Sequence, residues 1–193
     1  MLGADAVGLV FYDPSPRAVS PRKAAELCEK LPAFLSVVAL FVDPRPEDVR
    51  EVLQAVPAVN CLQFHGTETP EFCRAFDRPY MKALRVRDGI DPGTEMVRYP
   101  DAAAILLDSY DPERAGGTGR VFDWGLARQC VERGEQPIVL AGGLKPENVA
   151  QAIGEVRPWA LDVSSGVESA AGVKSAAALQ AFFKEVYRVQ FAG

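Results

Sequence analysis

Two glycine-bearing segments late in the chain carry the strongest chemical signal. Ala141-Gly142-Gly143-Leu144 and Asp162-Val-Ser164-Ser165-Gly166 each follow a short apolar run. Glycine lets backbone N–H groups come close to an anion, and the N-terminus of a following helix adds positive potential. Ser165 adds a hydroxyl donor. Gly142, Gly143, Ser165 and Gly166 are therefore expected to bind a phosphate. The plainer reading makes each segment only a tight turn. Recurrence of the pattern at the last two strand ends favours the phosphate.

Four other residue types fit around such a ligand. Asp108 closes the run Ile105-Leu-Leu-Asp108, where a carboxyl group serves as acid, base or metal ligand, or merely caps a turn. Asp162 stands beside the phosphate segment and suits a hydrogen bond to a sugar hydroxyl. Arg17, in Asp13-Pro-Ser-Pro-Arg17, has the forked donor set that holds a carboxylate, although surface arginines are common. Gln63 and His65 close the run Leu62-Gln-Phe-His-Gly66, where a histidine serves a substrate or a turn. Gly116-Gly-Thr-Gly119 lacks the lysine of a nucleotide-binding loop and reads as a mobile loop over the site.

Those residues need a scaffold that delivers them to one level. Apolar runs at 6–11, 36–41, 59–64, 80–86, 104–107, 138–140 and 160–163 alternate with amphipathic stretches at 21–30, 46–55, 70–76, 145–153 and about 175–187. A weakly signalled helix lies within 92–99, and another is expected after a cap at Asp123. Ser20-Pro21 reads as an N-cap followed by proline in the first turn. Most strand runs are apolar throughout, as when both faces are buried. Strand–helix alternation predicts an α/β protein with a parallel sheet. Seven such units in one domain, residues 1–193, with chemistry at the strand ends, predict a (β/α)8 barrel lacking one unit. A doubly wound sheet would carry a GxGxxG turn after its first strand, and that loop has none.

Bulk composition narrows the partners. The net charge is −5, with no block of like charge, so nucleic acid is not an expected partner. No apolar run approaches the roughly 18 residues that span a bilayer, and Met1–Val10 lacks a secretory pattern. A cytoplasmic protein without membrane association is expected. Cys28, Cys61, Cys73 and Cys130 form no CxxC pair and read as structural, so neither zinc nor a disulfide framework is expected.

Taken together, Gly3-Ala-Asp-Ala-Val-Gly-Leu-Val-Phe-Tyr12, Ser15-Pro-Arg17, Leu62-Gln-Phe-His-Gly66, Leu106-Leu-Asp108, Gly116-Gly-Thr-Gly119 with Phe122-Asp-Trp124, Leu140-Ala-Gly-Gly-Leu144 and Asp162-Val-Ser-Ser-Gly-Val-Glu168 resemble the phosphoribosylanthranilate isomerase family. The match runs in family order over essentially the whole chain. The resemblance implies a TIM barrel and an Amadori rearrangement of N-(5-phosphoribosyl)anthranilate in tryptophan biosynthesis. It implies Asp108 as general acid, Arg17 as the clamp on the anthranilate carboxylate, and Gly142, Gly143, Ser165 and Gly166 as the phosphate site. Gln63, His65 and Asp162 fall among the substrate-binding positions. No cofactor and no metal are implied, and the partner is a small phosphorylated substrate, with a homodimer left open.

The family also has an opening strand, Lys-Ile-Cys-Gly-Ile-Thr, whose Cys is the general base, and a helix leading to Gly-Ala-Asp-Ala. The sequence given opens at that last motif, and none of its four cysteines matches the base. Seven of eight units are therefore expected. The competing reading is an inactive phosphate-ligand-binding barrel, or a fragment needing its missing N-terminal unit. A pentose-phosphate epimerase would want metal-binding histidines, and only His65 exists. An indole-glycerol-phosphate synthase would want lysines at strand ends, and only Lys82 lies well inside a strand.

Overall fold

The computed structural model describes residues 3–86, 91–109 and 124–190. They fall into two compact units, Gly3–Ala83 with Asp101–Ala103, and Leu84–Pro100 with the residues from Ala104 onward.

The first unit alternates β1 (Ala6–Phe11), α1 (Pro21–Cys28), β2 (Ser36–Phe41), α2 (Pro46–Ala55), β3 (Val59–Phe64), α3 (Pro70–Arg74) and the first half of β4 (Tyr80–Val86). Every strand pairs with the next in parallel. The helices start where the sequence says they should. Ser20 Oγ accepts from the Lys23 N–H at 3.2 Å, and Thr69 Oγ1 accepts from the Phe72 N–H at 3.3 Å. In each case proline follows in the first turn, where its missing N–H costs nothing. At α2 the Asp48 carboxylate accepts from the Arg45 N–H at 3.1 Å.

The β2–β3 register shifts between Val37 and Val38, so that Asn60 is skipped in the pairing. Asn60 repairs the ladder itself, its Oδ1 accepting from the Val37 N–H at 3.1 Å. Side-chain alternation then decides which face each β3 residue serves. Phe64 turns to the helix side, against Phe72 and Phe76 at ring separations of 5.7 and 6.0 Å. Cys61 and Gln63 turn to the other side.

The second unit holds the end of β4, α4 (Pro92–Met96), β5 (Ala104–Ser109), α5 (Trp124–Arg133), β6 (Ile138–Leu140), α6 (Val149–Val156), β7 (Ala160–Leu161) and α7 (Ala176–Gln190). β5, β6 and β7 pair in parallel around the buried side chains of Ile105, Leu106, Leu107, Ile138 and Leu140. After β7 come a 3-10 turn, Ser165–Val167, and an antiparallel hairpin, β8 (Glu168–Ala170) with β9 (Val173–Lys174).

The main departures from the sequence-based expectations lie in the second unit. β7 stops at Leu161 rather than Val163, because the chain turns into the 3-10 segment. α6 starts at Val149 rather than Lys145, because Asn148 organises residues 145–148 into a turn. Its Oδ1 accepts from the Lys145 N–H at 2.8 Å. The β8–β9 hairpin has no counterpart in the sequence reading. The expected cap at Asp123 and the loop Gly116-Gly-Thr-Gly119 lie outside the described residues. No described helix is long and apolar enough to cross a membrane.

Candidate active site

In the second unit the strand register levels the candidate residues. Leu107 pairs with Leu140, and Leu140 with Leu161. The Ala141 N–H donates to the Leu107 carbonyl and the Asp162 N–H to the Leu140 carbonyl, both at 2.9 Å. Asp108, Ala141 and Asp162 therefore stand one residue past the paired leucines on three adjacent strand ends. Asp108 is half-buried and Asp162 exposed. Parallel pairing puts all three at the carboxyl end of their sheet, where α/β enzymes carry their chemistry.

The glycines beside them are there for shape. Gly142 and Gly143 have φ of +78° and +66°, the left-handed region that side chains disfavour. Asn148 Nδ2 donates to the Gly143 carbonyl at 2.9 Å, which turns that carbonyl aside. Gly166 packs directly on the Leu144 carbonyl group, with the Lys145 Cβ beside it. A Cβ there would collide with the Leu144 carbonyl oxygen and lie 2.9 Å from the Leu144 carbonyl carbon. The segment that follows Gly142-Gly143 and the Ser165–Val167 turn thus touch at Leu144 and Gly166, where only hydrogen fits. Lys174 braces the second turn from the hairpin, donating to the Ser164 carbonyl at 2.8 Å and to Glu168 Oε1 at 3.1 Å. Ser165 is exposed.

Arg17, Gln63 and His65 belong to the first unit. Arg17 lies half-buried in the loop after β1. That loop folds back on its strand, with the Ser15 N–H donating to the Tyr12 carbonyl at 2.9 Å and the Val19 N–H to the Val10 carbonyl at 2.9 Å. The Arg17 N–H donates to Ser15 Oγ at 3.2 Å. Gln63 is buried, and its Nε2 lies 3.3 Å from His65 Nδ1. His65 itself closes the β2–β3 ladder, its N–H donating to the Phe41 carbonyl at 2.9 Å.

None of the four cysteines is chemically forward. Burial pushes the Cys61 thiol up to about 11 and the Cys73 thiol to about 12, and raises Cys28 and Cys130 as well. A thiol so raised is protonated near neutrality and is a poor base or nucleophile. No group of three or more His, Cys, Asp or Glu among the described residues is placed to hold a metal.

Sequence reasoning missed the supports. The side chains of Asn148 and Lys174 hold the backbone of the phosphate-type turns, and Glu168 holds Lys174. Lys82 and Glu68 are buried with side-chain exposures of 2% each, 3.0 Å apart. A lysine within an apolar strand was the available signal, since a buried cation demands a partner.

Comparison with known proteins follows the same lines. The family model for N-(5'-phosphoribosyl)anthranilate (PRA) isomerase matches residues 1–185. The N-(5'-phosphoribosyl)anthranilate isomerase of Hahella chejuensis is 54% identical over 186 residues, 96% of this chain and 85% of that protein. The crystal structure of phosphoribosyl anthranilate isomerase from Thermotoga maritima superposes with a TM-score of 0.87 at 40% identity, over 97% of this chain and 90% of that one. A phosphoribosyl anthranilate isomerase in complex with reduced 1-(o-carboxyphenylamino)-1-deoxyribulose 5-phosphate superposes with a TM-score of 0.83 at 38% identity, over 97% and 89%.

Proposed function

The chain belongs to the N-(5'-phosphoribosyl)anthranilate isomerase family, and from that premise we propose how its strand-end residues divide the work. Its fold class is the family's α/β barrel, as expected from the sequence. Its reaction is the Amadori rearrangement of N-(5-phosphoribosyl)anthranilate to 1-(o-carboxyphenylamino)-1-deoxyribulose 5-phosphate in tryptophan biosynthesis, and its ligand is a small phosphorylated molecule. Nothing observed favours an inactive ligand binder. The cytoplasm is the proposed compartment.

The observation that carries the residue roles is the packing of Gly166 against Leu144, which brings the Ser165-Gly166 turn onto the segment following Gly142-Gly143, at the strand ends that carry Asp108 and Asp162. Backbone N–H groups of Gly143 and Gly166 and the Ser165 hydroxyl hold the phosphate, and Gly142 shapes the turn. Asp162 takes a ribose hydroxyl. Asp108 gives its carboxyl proton to the furanose ring oxygen, and the C1–O bond breaks to leave an iminium. Removal of the C2 proton then yields an enolamine, which tautomerises to the ketone. The C2 base is not assigned to any residue of the sequence given. Gln63 and His65 contact the substrate, and Arg17 clamps the anthranilate carboxylate.

Loss of N-(5-phosphoribosyl)anthranilate fluorescence measures the reaction directly. A folded protein that left this fluorescence undiminished would overturn the reading. Arg17→Ala tests the clamp. The carboxylate is present before, during and after reaction, so its clamp contributes uniform binding. Losing a charged hydrogen-bonded contact is worth about 1.5–3 kcal/mol, so KM should rise roughly 10- to 100-fold while kcat stays near wild type. A fall in kcat at unchanged KM would remove Arg17 from that role.

A further inference from the structure

The buried pair Lys82–Glu68 is an odd choice for stability alone. In the β3–β4 register Lys82 pairs with Phe64, next to the Leu62–Tyr80 pair, all of them buried, and an apolar pair in such a place is often as stable as an ionic one. What an apolar pair cannot do is hold carbonyl groups. The Lys82 ammonium donates to Glu68 Oε2 at 3.0 Å, to the Phe64 carbonyl at 3.1 Å and to the Gly66 carbonyl at 2.7 Å. Three acceptors match its three protons. The two carbonyls are those on either side of His65.

Glu68 extends the grip to the neighbouring turn. Its Oε1 accepts from the Asp43 N–H at 2.8 Å, and its two oxygens accept from the Gly66 N–H at 3.1 and 3.0 Å. Asp43 returns the bond, its Oδ1 accepting from the Thr67 N–H at 2.6 Å and the Thr67 hydroxyl at 2.8 Å. Gly66 sits so close that a Cβ would lie 2.7 Å from the Asp43 nitrogen. The turn from Phe64 to Glu68 is thus bonded on both sides, with His65 at its centre.

We propose that Lys82, held by Glu68, is a positioning residue: its ammonium fixes the backbone on both sides of His65 and so sets the pose in which the Gln63–His65 pair meets substrate. This rests on the reading that Gln63 and His65 contact substrate. Misplacement of such groups by about 1 Å can cost on the order of 10²-fold.

His65 is the only histidine in the chain, so its ring resonances are identified in a nuclear magnetic resonance spectrum without further assignment. In Lys82→Met the ring signal is expected to move or broaden, and KM to rise at least ~10-fold with kcat changed by less than about threefold. Lys82→Met strands the Glu68 carboxylate in the interior, so Lys82→Met/Glu68→Gln is measured beside it. That double variant carries no buried charge and is expected to fold and to show the same two changes. Should it fail to fold, or fold with a wild-type ring signal and KM, the pair is a stability element only and the proposal falls. His65→Ala separates the two levels. If it leaves KM unchanged, the substrate contact is wrong, while a displaced ring signal in the double variant still supports positioning. If His65→Ala raises KM and the double variant alters neither readout, positioning is overturned.

Discussion

Asparagine in place of Asp108 should leave a folded protein whose turnover is reduced by at least ~10², the usual loss when an acid–base group is removed. The substitution keeps the size of the side chain and removes only the transferable proton. Asp108 sits one residue beyond the buried Leu107, half-exposed at the end of β5, so this isosteric change should leave the thermal midpoint close to wild type. Ring opening needs a proton on the furanose oxygen as the C1–O bond breaks, and an amide cannot supply it. The effect should fall on kcat and kcat/KM together, because the transfer occurs only in the transition state. Near-normal turnover in Asp108→Asn would reject this residue as the acid and move attention to Asp162, at the same level two strands away.

Gly166→Ala should all but remove affinity for phosphorylated ligands. The added methyl group would run into the Leu144 carbonyl oxygen, a backbone atom with no rotamer to escape through. Relief requires the Ser165–Val167 turn to move away from Leu144, which directly follows the Gly142-Gly143 pair. The N–H groups proposed to converge on one phosphate would then diverge. Each charge-assisted hydrogen bond is worth about 1.5–3 kcal/mol, so losing two of them weakens binding by at least roughly 10²-fold. Calorimetry with the reduced product analogue measures it. The methyl group also strains the fold by about 1–3 kcal/mol, which lowers the thermal midpoint a few degrees. The two effects separate, because strain in a still-folded protein does not by itself change affinity. Unchanged affinity would mean that phosphate binds elsewhere. Gly143→Val, at φ +66°, attacks the same cradle from its other side and should act alike.

The local part of this protein was readable before any fold was known. Ser20-Pro21 and Thr69-Pro70 mark helix starts because the cap and the proline act within one turn of chain. Continuous apolar runs mark buried parallel strands because both faces lose water, and all seven expected strands begin and end within two residues of their observed bounds. The residues proposed for chemistry were legible for a related reason. A carboxylate, an arginine or a glycine pair next to an apolar run carries its reason in its own neighbourhood.

The supports were not legible, because they are made across the chain. Nothing near Lys82 in sequence indicates that its ammonium will rest between two carbonyls at residues 64 and 66. Nothing near Gly166 announces that Leu144 will occupy the space of its absent side chain. The β8–β9 hairpin escaped notice because a three-residue strand paired with a two-residue one gives too little periodicity to read. The extent of β7 depended on where the 3-10 turn claims the chain. The sequence determined which groups are available and roughly which strand ends carry them. The tertiary structure decided how those groups are held, because hydrogen bonds and close contacts between distant segments exist only once parallel pairing has brought their strand ends level.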